Sequence, residues 1–256
     1  MPERRINRAA SMVLSLFLPL SLFTSAGFAG SFSVASPRHQ VGLLELYTSE
    51  GCSSCPPADR WISSLKDEPG LWRDFIPVAF HVDYWDYIGW RDHFASPEYS
   101  DRQYRHASLQ SMRTVYTPGF FLNGKEWRWR RQTLKENTTS NRAGVLYLDV
   151  TDKSARIRFD THQRGKDLSA SVALLGFDIM TRVKAGENSG RTLTHDFVVL
   201  SVQQVALRGE DGNYRATLPV PMSDVDAGRY ALVAWVNPTS DQSPIQAVGG
   251  WVDYMD

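Results

Sequence analysis

The 256-residue chain carries only two cysteines, no net formal charge and, beyond its first thirty residues, no long apolar run. Each shortage excludes something. With Lys+Arg and Asp+Glu both at 28, there is no basic excess to track a nucleic-acid backbone. Without a second apolar segment near 20 residues, no membrane-spanning helix is expected in the mature chain. Two cysteines are too few for a small scaffold stapled by disulfides, and Cys52 and Cys55 stand only three positions apart. A bridge between them closes a very short loop and adds little stability, so the pair points to chemistry rather than stapling. No internal repeat or low-complexity tract is present.

The first thirty residues have their own pattern. Arg4, Arg5 and Arg8 precede an apolar run from Met12 to Phe23, and Gly27-Phe28-Ala29 follows with small residues. Basic, apolar, small is the order of a secretory signal, and the run is short for an anchor. Residues 1–29 are therefore expected to be a signal peptide cleaved after Ala29, leaving a periplasmic or secreted protein.

The rest divides by texture. Val41 to Tyr47 reads as a buried strand, and Thr48 to Gly51 as a turn. Trp61, Ile62 and Leu65 fall at helical spacing behind Pro56-Pro57, with Pro69-Gly70 as the stop. Ile76 to Val82 is a second strand, followed by an aromatic loop, and Ser96 to Met112 is a polar helix. Pro118 opens a short apolar strand that Asn123-Gly124 turns into a hairpin. The alternating Trp127 and Trp129 with their arginines are expected to be a solvated strand face with buried indoles. Residues 131–142, helix or linker, include an Asn137-Thr138-Thr139 glycosylation pattern.

From Gly144 onward seven short runs, at 145–150, 155–159, 168–175, 197–205, 214–220, 230–236 and 247–254, suggest a β-sandwich. The stretch 184–191 reads as a long exposed loop.

Strand, turn, Cys-x-x-Cys, helix is an arrangement that makes a thiol reactive. The positive end of the helix dipole favours a thiolate at Cys52, the expected nucleophile, while Cys55 would resolve the mixed disulfide. Glu50 works against that thiolate if it lies close. A zinc site would need two further ligands. His81 and His93, with His39 and His106 less well placed, match no zinc spacing. Asp83, at the end of the second strand, is a candidate proton acceptor for the resolving thiol, and Tyr84 and Trp85 could wall a cleft.

Thr117-Pro118, placed before a strand and hairpin, resembles the thioredoxin superfamily. That resemblance implies that Pro118 is cis, faces the cysteines, and that Thr117 offers backbone groups to a substrate chain. The longer match, Leu46 to Asp59 with His81-Val82-Asp83-Tyr84-Trp85-Asp86 and Tyr116-Thr117-Pro118, is similar to a secreted bacterial family of unknown function with a thioredoxin-like N-terminal half. It implies fold and redox motif but no substrate. Ser53-Ser54 between the cysteines, and no Trp before Cys52, depart from ordinary thioredoxins and leave the direction of electron flow open.

The expected architecture is thus an α/β thioredoxin-like domain over residues 30–143 followed by an all-β sandwich-like domain over 144–256. The expected function is an exported thiol–disulfide oxidoreductase without a cofactor. It would act on protein thiols or disulfides and be recycled by an unknown redox partner. Two rivals stand beside it: a non-catalytic binding module with a fixed short disulfide, and a copper metallochaperone using both thiolates and His81.

Overall fold

In Gly42–Thr48 and Phe75–His81 every residue is buried, and in Leu168–Phe177 all ten are. Strands covered on both faces read as near-continuous apolar runs, and such strands need neighbours on both edges. The chain supplies them by joining its two halves in one sheet. In a computed structural model, described over residues 27–28, 31–131, 134, 142–151, 153–162, 165 and 167–255, eight strands hydrogen-bond in sequence. From one edge to the other they are Gln246–Val252, Arg229–Pro238, Leu168–Phe177, Val198–Ala206, Phe75–His81, Gly42–Thr48, Gly119–Leu122 and Lys125–Glu126. Two pairings are parallel, Gly42–Thr48 with Phe75–His81 and Phe75–His81 with Val198–Ala206. The rest are antiparallel.

This architecture corrects the expected fold class. The chain is mostly β, with 46% of residues in strands and 15% in helices. It is not an α/β thioredoxin-like domain followed by an all-β sandwich. The two halves meet at Val198 and Ala79, where the Ala79 amide donates to the Phe197 carbonyl at 2.8 Å. All seven runs foreseen after residue 144 are strands. Four of them, however, extend the sheet begun by Gly42–Thr48. The other three lie in a five-stranded antiparallel sheet that also takes Ser31–Ala35 from the start of the described chain.

Side-chain alternation explains the layering. Leu168, Ala170, Val172 and Leu174 point to one face and pack with Leu146, Leu148, Ile157 and Phe159 of the five-stranded sheet. Ala173, Leu175 and Phe177 point to the other and join the core that contains Leu43, Leu46 and Phe80.

Two helices cover the remaining part of the large sheet. Helix α1 (Pro56–Ser64) sets Trp61 edge-on to Phe120, and helix α2 (Pro97–Leu109) stacks His106 on Phe121. Adjacent strand residues face opposite ways, so the helices lie on opposite faces. Ser96 caps α2 by accepting from the Glu98 amide, and Pro97 occupies its first position. At the Asn123-Gly124 turn both residues have positive φ, 51° and 79°, as a tight two-residue hairpin requires. Trp127 is buried, and it and Trp129 pack against Trp61, so the 127–131 stretch is a core edge. The expected signal peptide, apart from the backbone of 27–28, and the Asn137-Thr138-Thr139 pattern lie outside the described residues. No described helix is long and apolar enough to cross a membrane.

Candidate functional site around the Cys52–Cys55 disulfide

The Gly42–Thr48 strand ends in a tight turn, where the Cys52 amide donates to the Ser49 carbonyl at 3.2 Å. Cys55 then forms the N-cap position of α1, and Pro56-Pro57 fill the first helical positions, where no intrahelical amide bond is lost. Cys52 therefore precedes the helix by one turn of chain rather than beginning it. The two cysteines are joined as a disulfide. Both are buried, Cys52 at 1% exposure and Cys55 at 0%, while Ser53 and Ser54 between them are exposed.

The Thr117–Pro118 bond is cis, and the segment lies against the motif. Cys52 Sγ is 3.8 Å from the Thr117 carbonyl oxygen, and the Ser54 hydroxyl donates to the same oxygen at 3.4 Å. Trp85 Nε1 donates to Thr117 Oγ1 at 2.7 Å, which fixes the threonine from the aromatic loop. Four of the five site residues expected from the sequence, Cys52, Cys55, Thr117 and Pro118, thus share one locality. Asp83 is engaged elsewhere: its carboxylate accepts from the Ser100 hydroxyl of α2 at 2.5 Å, and its own amide donates back to that oxygen.

Beneath the disulfide lies a buried set of charged groups that sequence reasoning had not assembled. Asp59, one turn along α1 from Cys55, accepts from the Thr48 hydroxyl at 2.7 Å. Burial pushes its carboxyl above the ordinary aspartate value, against the opposing pull of His195, His81 and the Thr48 hydrogen bond. His81 Nδ1 is 2.7 Å from Asp92 Oδ2. Burial alone would depress this imidazole, but Asp92 outweighs it and raises the His81 pKa. Burial likewise opposes ionisation of Asp92, and His81 holds that carboxyl below its usual range. Asp92 Oδ2 also accepts from the Glu50 amide at 2.8 Å. Glu50 is fully buried and accepts from Trp90 Nε1 at 2.8 Å. Its other carboxylate oxygen lies 3.2 Å from His195 Nε2, at an angle that closes no hydrogen bond. Among the described residues, no group of three or more His, Cys, Asp or Glu is arranged to hold a metal ion.

The C-terminal half also touches the motif. Strands Ile179–Arg182 and Thr192–His195 form a separate hairpin whose connecting loop bonds the main chain of Glu50, Cys52 and Ser53. Asn188, fully buried, donates from Nδ2 to the carbonyls of Glu50 and Cys52 at 2.8 and 2.9 Å. Glu187 accepts from the Ser53 amide at 2.9 Å. The 184–191 stretch is exposed at most positions, as expected, but Asn188 is its exception. Nothing local distinguishes Asn188 from any other loop asparagine, because its partners lie some 136 positions earlier. Asp59 did carry a signal: a carboxylate in the first turn of the helix that follows the motif.

Residues 43–237, most of the chain, match the family described as a protein of unknown function, DUF1223. The chain belongs to the DUF1223 family. Two solved structures resemble it. A structural-genomics protein of Agrobacterium tumefaciens is 26% identical with a TM-score of 0.60, over 83% of this chain and 95% of that one. HBP35 of Porphyromonas gingivalis is 15% identical with a TM-score of 0.57, over 85% of this chain and 77% of that one, and so shares the fold alone. None of the curated proteins matches the sequence.

Proposed function

We propose that this DUF1223 protein exchanges thiols and disulfides with polypeptide substrates through Cys52 and Cys55, outside the cytoplasm. The observation that carries the reading is the position of the disulfide. It lies at the start of α1, with exposed Ser53 and Ser54 beside it, and Cys52 Sγ lies 3.8 Å from the carbonyl of Thr117, the residue before Pro118. In the reduced protein, the Cys52 thiolate attacks a substrate disulfide, forms a mixed disulfide and releases one substrate thiolate. The Cys55 thiolate then attacks Cys52 Sγ, closes the Cys52–Cys55 bond and releases the second; two electrons pass to the substrate. The reverse sequence oxidises a substrate dithiol. Cys55 must lose its proton before it attacks. Asp59 is the better acceptor than Asp83, because it lies one turn along α1 from Cys55 and burial draws its pKa upward; each carboxylate already accepts from one hydroxyl, that of Thr48 and that of Ser100. The leader-like residues 1–29 support an oxidising compartment, where disulfides persist.

The burial of both sulfurs favours a second reading, a fixed short bridge in a binding module. Trapping separates the two. Cys55→Ser protein exposed to extracytoplasmic extract should accumulate mixed disulfides through Cys52, and Cys52→Ser protein should not. The exchange reading is abandoned if Cys55→Ser traps nothing while an oxidoreductase of known activity does so in parallel.

A further inference from the structure

A disulfide built for exchange must be reached by an attacking sulfur, yet Cys52 is 1% exposed and Cys55 wholly covered. Cys52 Sγ itself faces Ser54 and the Thr117 carbonyl, while the main chain of the motif loop is held by the far half of the chain. The Ile179–Arg182 and Thr192–His195 hairpin is bolted at its base: Lys66, just past α1, bonds Asp178 at 2.6 Å and Asp196 at 2.7 Å on the two flanks. Its tip is held by hydrogen bonds rather than by ion pairs. Gly186 and Gly190 take positive φ values of 73° and 82°, which favour glycine, and a Cβ at Gly186 would sit 3.0 Å from Ile88 Cδ1, so the tip packs closely against the aromatic loop. The tip binds the motif loop through the Asn188 amide, with two backbone carbonyls, and the Glu187 carboxylate, with one amide. Arg191 Nη1 donates to Asn188 Oδ1 at 2.6 Å and orients that amide so that Nδ2 faces the motif.

We infer that Asn188 is a positioning residue for the disulfide: its two donated hydrogen bonds hold the hairpin tip shut over Cys52, and their release determines when a thiol reaches the bond. Glu187 is its weaker partner at the solvent edge. The inference rests on the exchange reading for its purpose, but its physical content, that the tip limits access, stands independently. Opening breaks the Asn188 and Glu187 contacts while the Lys66 anchor stays closed. The movement is therefore confined to residues 183–191, and partners that seat against the tip gain access that small free thiols lack.

The test is the rate at which dithiothreitol reduces the Cys52–Cys55 bond in the folded, oxidised protein, read by alkylation and mass. Losing both Asn188 bonds together should speed reduction roughly 5- to 150-fold, the range two net hydrogen bonds span in an opening equilibrium. Asn188→Asp keeps the shape but cannot donate, so it should match Asn188→Ala, which a purely packing role would not require. Glu187→Ala should accelerate reduction a few-fold, and Glu187→Gln, which retains an acceptor for the Ser53 amide, should restore the wild-type rate. Glu187 is exposed, so its variants keep the test available if Asn188→Ala fails to fold. Amide exchange at Cys52 and Ser53 should rise in step with the reduction rates. Wild-type reduction rates in Asn188→Asp and Glu187→Ala overturn the inference. Faster reduction in those variants, with no mixed disulfide trapped by Cys55→Ser, upholds the cover and refutes the exchange function instead.

Discussion

Replacing Arg102 with methionine should be among the most damaging single changes in this chain. Glu45 is fully buried in the Gly42–Thr48 strand, and Arg102 of α2 reaches it with two N–H bonds, Nε to Oε2 at 2.7 Å and Nη2 to Oε1 at 3.0 Å. The Tyr47 hydroxyl donates to Oε2 at 2.8 Å, and His106 Nε2 lies 3.2 Å away. The guanidinium also sits 5.5 Å from the Phe80 ring centroid and 5.3 Å from that of Trp235, so it links both halves of the large sheet. Burial alone would raise the Glu45 pKa, but the charges and hydrogen bonds of Arg102 and His106 outweigh it and hold the carboxyl far below the ordinary range. Removing one member of a buried pair leaves the other uncompensated, which costs about 3–5 kcal/mol, a large part of the ~5–15 kcal/mol that holds a typical domain together. Methionine approximates the lost volume, so the deficit should be electrostatic and depend on pH. In the wild type, the depressed Glu45 pKa contributes stability that is present above the unfolded value near ~4.3 and lost as pH falls through the folded value. In the variant, the carboxyl loses its main counter-charge and its pKa rises. The gap between the two proteins should therefore narrow as pH falls from 7 toward 5. Urea unfolding of the oxidised proteins at both pH values measures it. A deficit under ~1 kcal/mol at pH 7, or one that does not shrink with acid, would refute the reasoning.

Other expectations follow from the buried groups near the disulfide. Asp59→Asn keeps an acceptor for the Thr48 hydroxyl but removes a carboxylate that burial disfavours, so its urea midpoint at pH 7 should rise. The same change should shift the pH dependence of thiol exchange, whereas Asp83→Asn should not. Asp92→Asn weakens the bond to His81, whose raised pKa contributes stability below about pH 6.5 that is lost as pH rises through the folded value. The variant should lose that slope in its stability profile, and an unchanged slope would assign it to another group. In a double-mutant cycle, Trp85→Phe and Thr117→Val should couple by about 0.5–1.5 kcal/mol, because each removes the same 2.7 Å hydrogen bond. Additive losses would mean that this bond does not hold Thr117 against the motif.

Much of the local structure was legible in the sequence because its determinants are local. Pro56-Pro57 opens α1, Asn123-Gly124 turns the hairpin, and the seven runs after residue 144 are strands. The sheet order was not legible, since pairing Ala79 with Val198 is set by contacts far apart in the chain. A clue was present nonetheless. Val172–Leu175 and Tyr230–Val236, the middles of two ten-residue strands, carry no polar alternation, and an apolar run of that kind is buried on both faces. Such strands belong at the centre of a large sheet rather than on the wet face of a separate sandwich. The site divided in the same way. Cys52, Cys55 and Pro118 announce themselves by spacing and type, whereas Asn188 and His195 acquire meaning only when the 179–195 hairpin folds back over the motif. Asp83 drew attention by lying at a strand end, and Ser100 occupies it.

The central claim is that the Cys52–Cys55 bond is an exchanging disulfide rather than an inert bridge. Equilibrating the folded protein with graded dithiol–disulfide buffers and counting alkylated Cys52 and Cys55 by mass yields its reduction potential. The account predicts a midpoint between about −270 and −120 mV, the span of disulfides that turn over, whereas a midpoint below about −300 mV, where structural bridges lie, would contradict it.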